Sequence, residues 1–191
     1  MRNKKVKTIR ILSMVITSLL VSVHQPVFAQ PNNVGMSLGI GSMHVDDAAS
    51  NDETNTSWTG AIEYERRFYP SFAVKVSGHM GNASSVKTKE IGEATTSERD
   101  VDYKAISLSA VGYYALSQNH ELYLSAGVNG NNVKMDPKSG TSTDKDGVGY
   151  TVQAGWQYHF NKRTALQVSM QRLGLEDIDI NTANIGVTVS F

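Results

Sequence analysis

The chain has 191 residues, no cysteine, and 18 Lys and Arg against 18 Asp and Glu. The length suits a single domain plus a targeting segment, the absence of thiols excludes a disulfide framework, and the balanced charge excludes a nucleic-acid binder relying on an overall basic field. Only 4 prolines, with 16 glycines and abundant Ser, Thr, Asn and Val, lean the composition towards β-structure.

The first element is a leader. Arg2, Lys4, Lys5, Lys7 and Arg10 stand in the first ten residues without an acid, residues 11–23 are an uncharged apolar run, and Val27 and Ala29 are placed as in a signal-peptidase site. A basic region, a short apolar core and a V-x-A site read as a secretory signal peptide, residues 1–29. The apolar run is too short for the ~20 residues that cross a bilayer as a helix. No Cys follows the cut, so no lipidated N-terminus is expected. The remaining domain, 30–191, loses five basic residues with the leader, and its formal charge becomes 13 − 18 = −5.

Eight segments with two-residue periodicity follow. VGMSLGIGS (34–42) sets Val34, Met36, Leu38 and Ile40 against Gly and Ser. WTGAIEYERRF (58–68) sets Trp58, Ile62, Tyr64 and Phe68 against Glu63, Glu65 and Arg67. FAVKVSGHM (72–80) sets Phe72, Val74, Val76 and Met80 against Lys75, Ser77 and His79. KAISLSAVGYYAL (104–116) and ELYLSAGVN (121–129) continue the pattern. YTVQAGWQYHF (150–160), TALQVSMQ (164–171) and the closing NTANIGVTVSF (181–191) complete it. Tight turns at 69–71, 117–120 and 161–163 alternate with long polar stretches near 46–57, 83–101 and 136–146, the signature of an up-and-down meander with two unlike ends.

Three observations place the apolar face outside. An eight-stranded barrel has a lumen barely wide enough for side chains, and Trp58, Tyr64, Phe68, Tyr114, Trp156 and Phe160 are too bulky for it. The segments have the 9–11 residues, or slightly more, of a tilted membrane strand. Phe68, Tyr69, Phe72, Tyr114, Tyr158, Phe160 and Phe191 gather where strands meet the short turns, as an interfacial girdle does. The expected fold is all-β: an eight-stranded antiparallel up-and-down transmembrane β-barrel in a bacterial outer membrane, where closure satisfies every backbone group.

This plan, together with the closing stretch LQVSMQRLGLEDIDINTANIGVTVSF, resembles the OmpA-like and OmpX/Ail-like outer membrane barrels. The stretch carries a basic–loop–acidic hairpin, Gly186 near the end and a terminal Phe191. Val189 departs from the aromatic often found two residues before that Phe. The resemblance implies a stand-alone barrel without a periplasmic domain, and a terminal Phe191 read by the outer-membrane assembly machinery.

Strand parity directs Glu63, Glu65, Arg67, Lys75, His79 and His159 into the lumen, with Gln153, Gln167 and Gln171 beside them. Buried charges need partners, so these residues are expected to plug the lumen; a turn at 69–71 would oppose Phe68 to Phe72 and Glu65 to Lys75. Lys104, Lys134 and Arg172 carry outward parity near the loop end and are candidates for lipopolysaccharide phosphates. Ser42, His44 and Asp46 make a conceivable triad for a lipid A-modifying enzyme, and a small narrow channel is a third alternative. Asp46, Asp47, Asp52 and Glu53 lack fixed calcium-loop spacing, and neither a metal nor a cofactor is expected. Leu173, Leu175, Ile178 and Ile180 break the pattern by carrying lumen parity, through a bulge, as a self-packed hairpin, or as an apolar knob above the membrane. The leading reading is a monomeric, non-enzymatic barrel whose long loops serve adhesion, colonisation or host-factor binding. Its expected partners are outer-membrane lipid, lipopolysaccharide, the assembly machinery and an extracellular or host ligand, with no nucleic acid.

Overall fold

A computed structural model describes residues 32–45, 55–89, 96–137, 143–175 and 178–191; the expected signal peptide, 1–29, and Asp46, Asp47, Asp52 and Glu53 lie outside these. Eight strands follow in order: β1 (Asn32–Val45), β2 (Asn55–Tyr69), β3 (Phe72–Lys89), β4 (Thr96–Ala115), β5 (His120–Pro137), β6 (Thr143–His159), β7 (Thr164–Gly174) and β8 (Ile178–Ser190). Each pairs antiparallel with its neighbours, and β1 pairs with β8 to close the barrel. The seam extends to the last residue, because Asn32 N donates to Phe191 O at 3.3 Å and Phe191 N donates to Asn32 O at 2.9 Å.

The register fixes the shape. Gln157 of β6 pairs with Gln167, and the same row passes through Ser37 and His79 and re-enters β6 at Gly147, a stagger of 157 − 147 = 10 residues. Ten residues at ~3.3 Å, set against eight strands ~4.8 Å apart, tilt the strands by about 40°. From Ile106 to Leu116 the outward face of β4 and its turn is apolar or aromatic apart from Gly112. Ten residues at that tilt rise about 25 Å, the height of an outer-membrane apolar belt. The aromatics expected at the short-turn end do face outward, and there His120 stacks on Trp156 with centroids 5.5 Å apart.

Three expectations are corrected. The strands run past the belt: β3 and β4 pair as far as Lys89 with Thr96, so much of 83–101 is hairpin rather than loop. The turn does not oppose Phe68 to Phe72; the register shifts between Arg67 and Tyr69, and Tyr69 pairs with Phe72 around Pro70-Ser71. Proline suits the first central position of such a turn, and the extra residue is taken up by the irregularity at Phe68.

The third correction concerns Leu173, Leu175, Ile178 and Ile180. They form neither a bulge nor an exposed knob, because β7 and β8 pair without a shift and all four side chains are buried. Nor does the hairpin pack only on itself: they point inward and pack with Met43, Val101, Tyr103 and Val133 in an apolar core at the loop end. The physical reason is a change of solvent. Along β4, apolar side chains face out at Ile106 and Leu108, whereas Asp102 and Lys104 face out and Val101 and Tyr103 face in. Above the belt the outer wall meets water and headgroups, and the barrel reverts to the ordinary apolar-inside arrangement.

Candidate functional site

The lumen is filled in layers. At the short-turn end, Arg67 of β2 grips Glu121 of β5 through two bonds, Nη1 to Oε1 at 3.1 Å and Nη2 to Oε2 at 2.7 Å. Such a fork is the strong form of this contact. Arg67 Nε lies 3.4 Å from Glu65 Oε1, and the guanidinium sits 3.6 Å from the centre of the Tyr113 ring. Glu65 also accepts from Asn33 at 2.9 Å and from the Tyr113 hydroxyl. His159 Nε2 lies 3.4 Å from Glu121 Oε2.

The next layer centres on Lys75, whose Nζ is 3.5 Å from Glu63 Oε1 and donates to Gln153 Oε1. Gln153 donates to Ser169 at 3.0 Å, and Gln167 donates to the Tyr123 hydroxyl. Above it His79 shares a 3.0 Å hydrogen bond with Ser107, and Asn129 donates to the backbone oxygens of Tyr150 and Gly174 at 2.8 and 3.0 Å. The apolar core of Met43, Tyr103, Leu173 and Ile180 closes the top.

Glu63, Glu65, Arg67, Lys75 and His79 are therefore buried inward, and His159 points the same way at the lower mouth. Glu65 and Lys75 are opposed in register, yet their side chains part: Lys75 turns to Glu63 and Glu65 turns to Arg67. His79 joins Ser107 rather than the charged layers. Glu121, 1% exposed, is a central lumen residue absent from the expected set, because it directly follows the turn; its shared parity with Tyr123 is the signal that marks it.

At the loop end the outward wall alternates in charge. Lys134 lies opposite Asp102 on β4 and Asp144 on β6, while Lys104 lies opposite Asn132, which donates to Asp146 at 2.9 Å. Arg172 is ion-paired with Asp179, which also accepts from the Tyr150 hydroxyl at 3.0 Å. Lys104 and Lys134 are thus diagonal neighbours, and Arg172 stands apart on β7. Ser42 and His44 lie opposite Asn181 and Asp179 on β8; Asp46, the third member of that grouping, lies outside the described residues.

A family model described as the outer membrane protein beta-barrel domain matches residues 15–191. Among solved structures the chain is similar to Neisserial surface protein A, at 14% identity over 84% of this chain and 97% of that one, with a TM-score of 0.61. The outer membrane protein OprG from Pseudomonas aeruginosa gives 14% identity, 85% and 97% coverage, and 0.61. Ail, the attachment invasion locus protein of Yersinia pestis, gives 17%, 84% and 99%, and 0.53. Likeness at such identities speaks to fold. No curated protein sequence matches the chain.

Proposed function

This chain belongs to the outer membrane protein beta-barrel domain family, and on that premise we propose that it is a sealed, non-enzymatic, monomeric barrel working through its loop end in surface contact. Adhesion, colonisation and host-factor binding are the roles this reading covers. The observation that carries it is the packed lumen: two charged layers and an apolar core occupy the path a solute would take. That packing argues against the narrow channel and leaves the outer rim and loops as the working surface. Loops presented by a rigid scaffold are where function concentrates. A structural neighbour named for attachment and invasion adds support.

In this reading residues 1–29 direct export, Phe191 is the signal to the assembly machinery, and Lys104, Lys134 and Arg172 meet lipopolysaccharide phosphates at the outer rim. The test replaces residues 46–54, 90–95 and 138–142 with short turns. Binding to host cells or matrix is expected to disappear while heat-modifiable gel mobility persists; binding that survives in a folded barrel overturns the surface-contact role. Lipid A mass spectra that change with the gene would instead support the enzyme.

A further inference from the structure

A groove of about 1110 Å³ climbs diagonally across the lipid-facing wall. Met36, Ile62 and Ile106 form one ridge, and Leu38 and Met80 form the other, all outward and more than half exposed. Gly60, Gly78 and Gly130 interrupt the ridges and deepen the groove. It follows the hydrogen-bonded rows from Leu166 on β7 across β8 and β1 to β5, and ends beside Lys104, Asn132 and, on β6, Asp146 and Gly147.

The glycines need a reason. Glycine weakens a strand, and inside one it marks a bulge, a tight bend or a close approach by another backbone or a ligand. At Gly81, Gly127 and Gly149 the reason is local, because an added Cβ would stand 2.4, 2.1 and 2.0 Å from a backbone oxygen. At Gly78 and Gly130 a Cβ would meet nothing within 4 Å. The register is unbroken at both positions. An aliphatic side chain at either would add apolar contact in the membrane. With no bulge and no backbone close by, the approach of a ligand is a reason these strand glycines satisfy.

Dimensions select that ligand. The apolar part of the path, from Leu166 on β7 to Ile106 on β4, takes five strand steps; at ~4.8 Å each these make about 24 Å, and with strands tilted by about 40° they rise about 15 Å, half of the ~30 Å hydrocarbon core. The path ends at the charged outer rim, so it spans the outer leaflet. At that end Asn132 donates to Asp146 and Asn82 donates to Asp102 at 2.6 Å, while Lys104 supplies the cation.

We propose that this groove seats one acyl chain of a phosphorylated outer-leaflet lipid of the lipopolysaccharide class, with its phosphate beside Lys104. The inference rests on the rim contact proposed above and adds a bound chain to it.

The two tryptophans make the test possible. Trp58 borders the groove, with its ring 3.9 Å from where a Gly60 Cβ would stand, whereas Trp156 lies at the short-turn end. In a Trp156→Phe background, the barrel is placed in phosphatidylcholine vesicles containing increasing amounts of lipid A with brominated acyl chains. Quenching of Trp58 should saturate at a few mole per cent, well before random lipid contact predicts. Gly78→Leu with Gly130→Leu, or Gly130→Leu by itself if the pair impairs folding, should return quenching to the linear curve while heat-modifiable mobility is kept. Lys104→Gln should raise the half-saturating fraction several-fold for lipid A and leave dephosphorylated lipid A unaffected. Linear quenching in the wild-type groove, equal saturation in the filled groove, or equal saturation by brominated phosphatidylcholine would each overturn the inference. Failure of the rim contact is read separately, as unchanged lipopolysaccharide retention when Lys134 and Arg172, which lie off the groove, are both made Gln.

Discussion

At the residue scale the Arg67–Glu121 pair carries the greatest electrostatic stake. Glu121 is 1% exposed and held by both ends of one guanidinium; removing Arg67 leaves the carboxylate away from water with only His159 beside it, and removing Glu121 leaves the guanidinium with Glu65 alone. Breaking such a buried pair costs roughly 3–5 kcal/mol, and Arg67→Ala or Glu121→Ala should each lose about that much in urea unfolding from vesicles. Arg67→Met with Glu121→Leu should cost clearly less than the sum of the singles, since Glu121 is no longer left as a lone charge and only Glu65, which keeps Asn33 and Tyr113, has lost its cation; additive losses would show the two residues to be energetically independent. Parity made the inward set legible, because Glu63, Glu65, Arg67, Lys75 and His79 all follow from the two-residue period. The choice of partners was not legible. Which carboxylate Lys75 reaches depends on how long side chains lean across a tilted strand, and the opposed Glu65 is already committed to Arg67, Asn33 and Tyr113.

At the scale of elements, β4, β5, β7 and β8 change the sense of their alternation where they leave the membrane. The same hairpin β7–β8 that puts Val168, Met170 and Ile185 into lipid puts Leu173, Ile178 and Ile180 into the inner core. Truncating Leu173 or Ile180 to Ala should cost roughly 2–4 kcal/mol. The loss should appear as faster amide exchange at the top of β7 and β8, with protection in the belt retained; uniform loss of protection would mean that the two halves unfold as one unit. Polarity on the outer wall should matter in the opposite sense. Ala110→Arg, on the lipid face of β4 in the middle of the belt, should destabilise by roughly 2–4 kcal/mol. A neutral result would place Ala110 in water. The inversion explains why 83–101 and 136–146 read as loops. A search for apolar residues on the lipid side meets Asp102 and Lys134 beside these stretches, although Val101, Tyr103 and Val133 continue the strand on its other face.

At the scale of the whole molecule, one closed sheet serves two solvents. Eight strands with a ten-residue stagger enclose a lumen too narrow to leave empty; charged pairs fill it within the membrane and apolar side chains fill it above. Eight-strand closure was legible in the alternation and in the short and long connections. The long-side extension was not, because it answers to water rather than lipid. The central claim is this inversion, and the absence of native cysteine allows a clean scan of it. Single cysteines placed at every position from 100 to 116 would be spin-labelled in vesicles and probed with oxygen and a water-soluble nickel chelate. The account predicts oxygen-favoured collisions at even positions from Ile106 to Tyr114, a change to chelate-favoured collisions at Lys104 and Asp102, and low collision with both at the odd positions from 101 to 113. Even positions that stay chelate-accessible from 102 to 114 would contradict it.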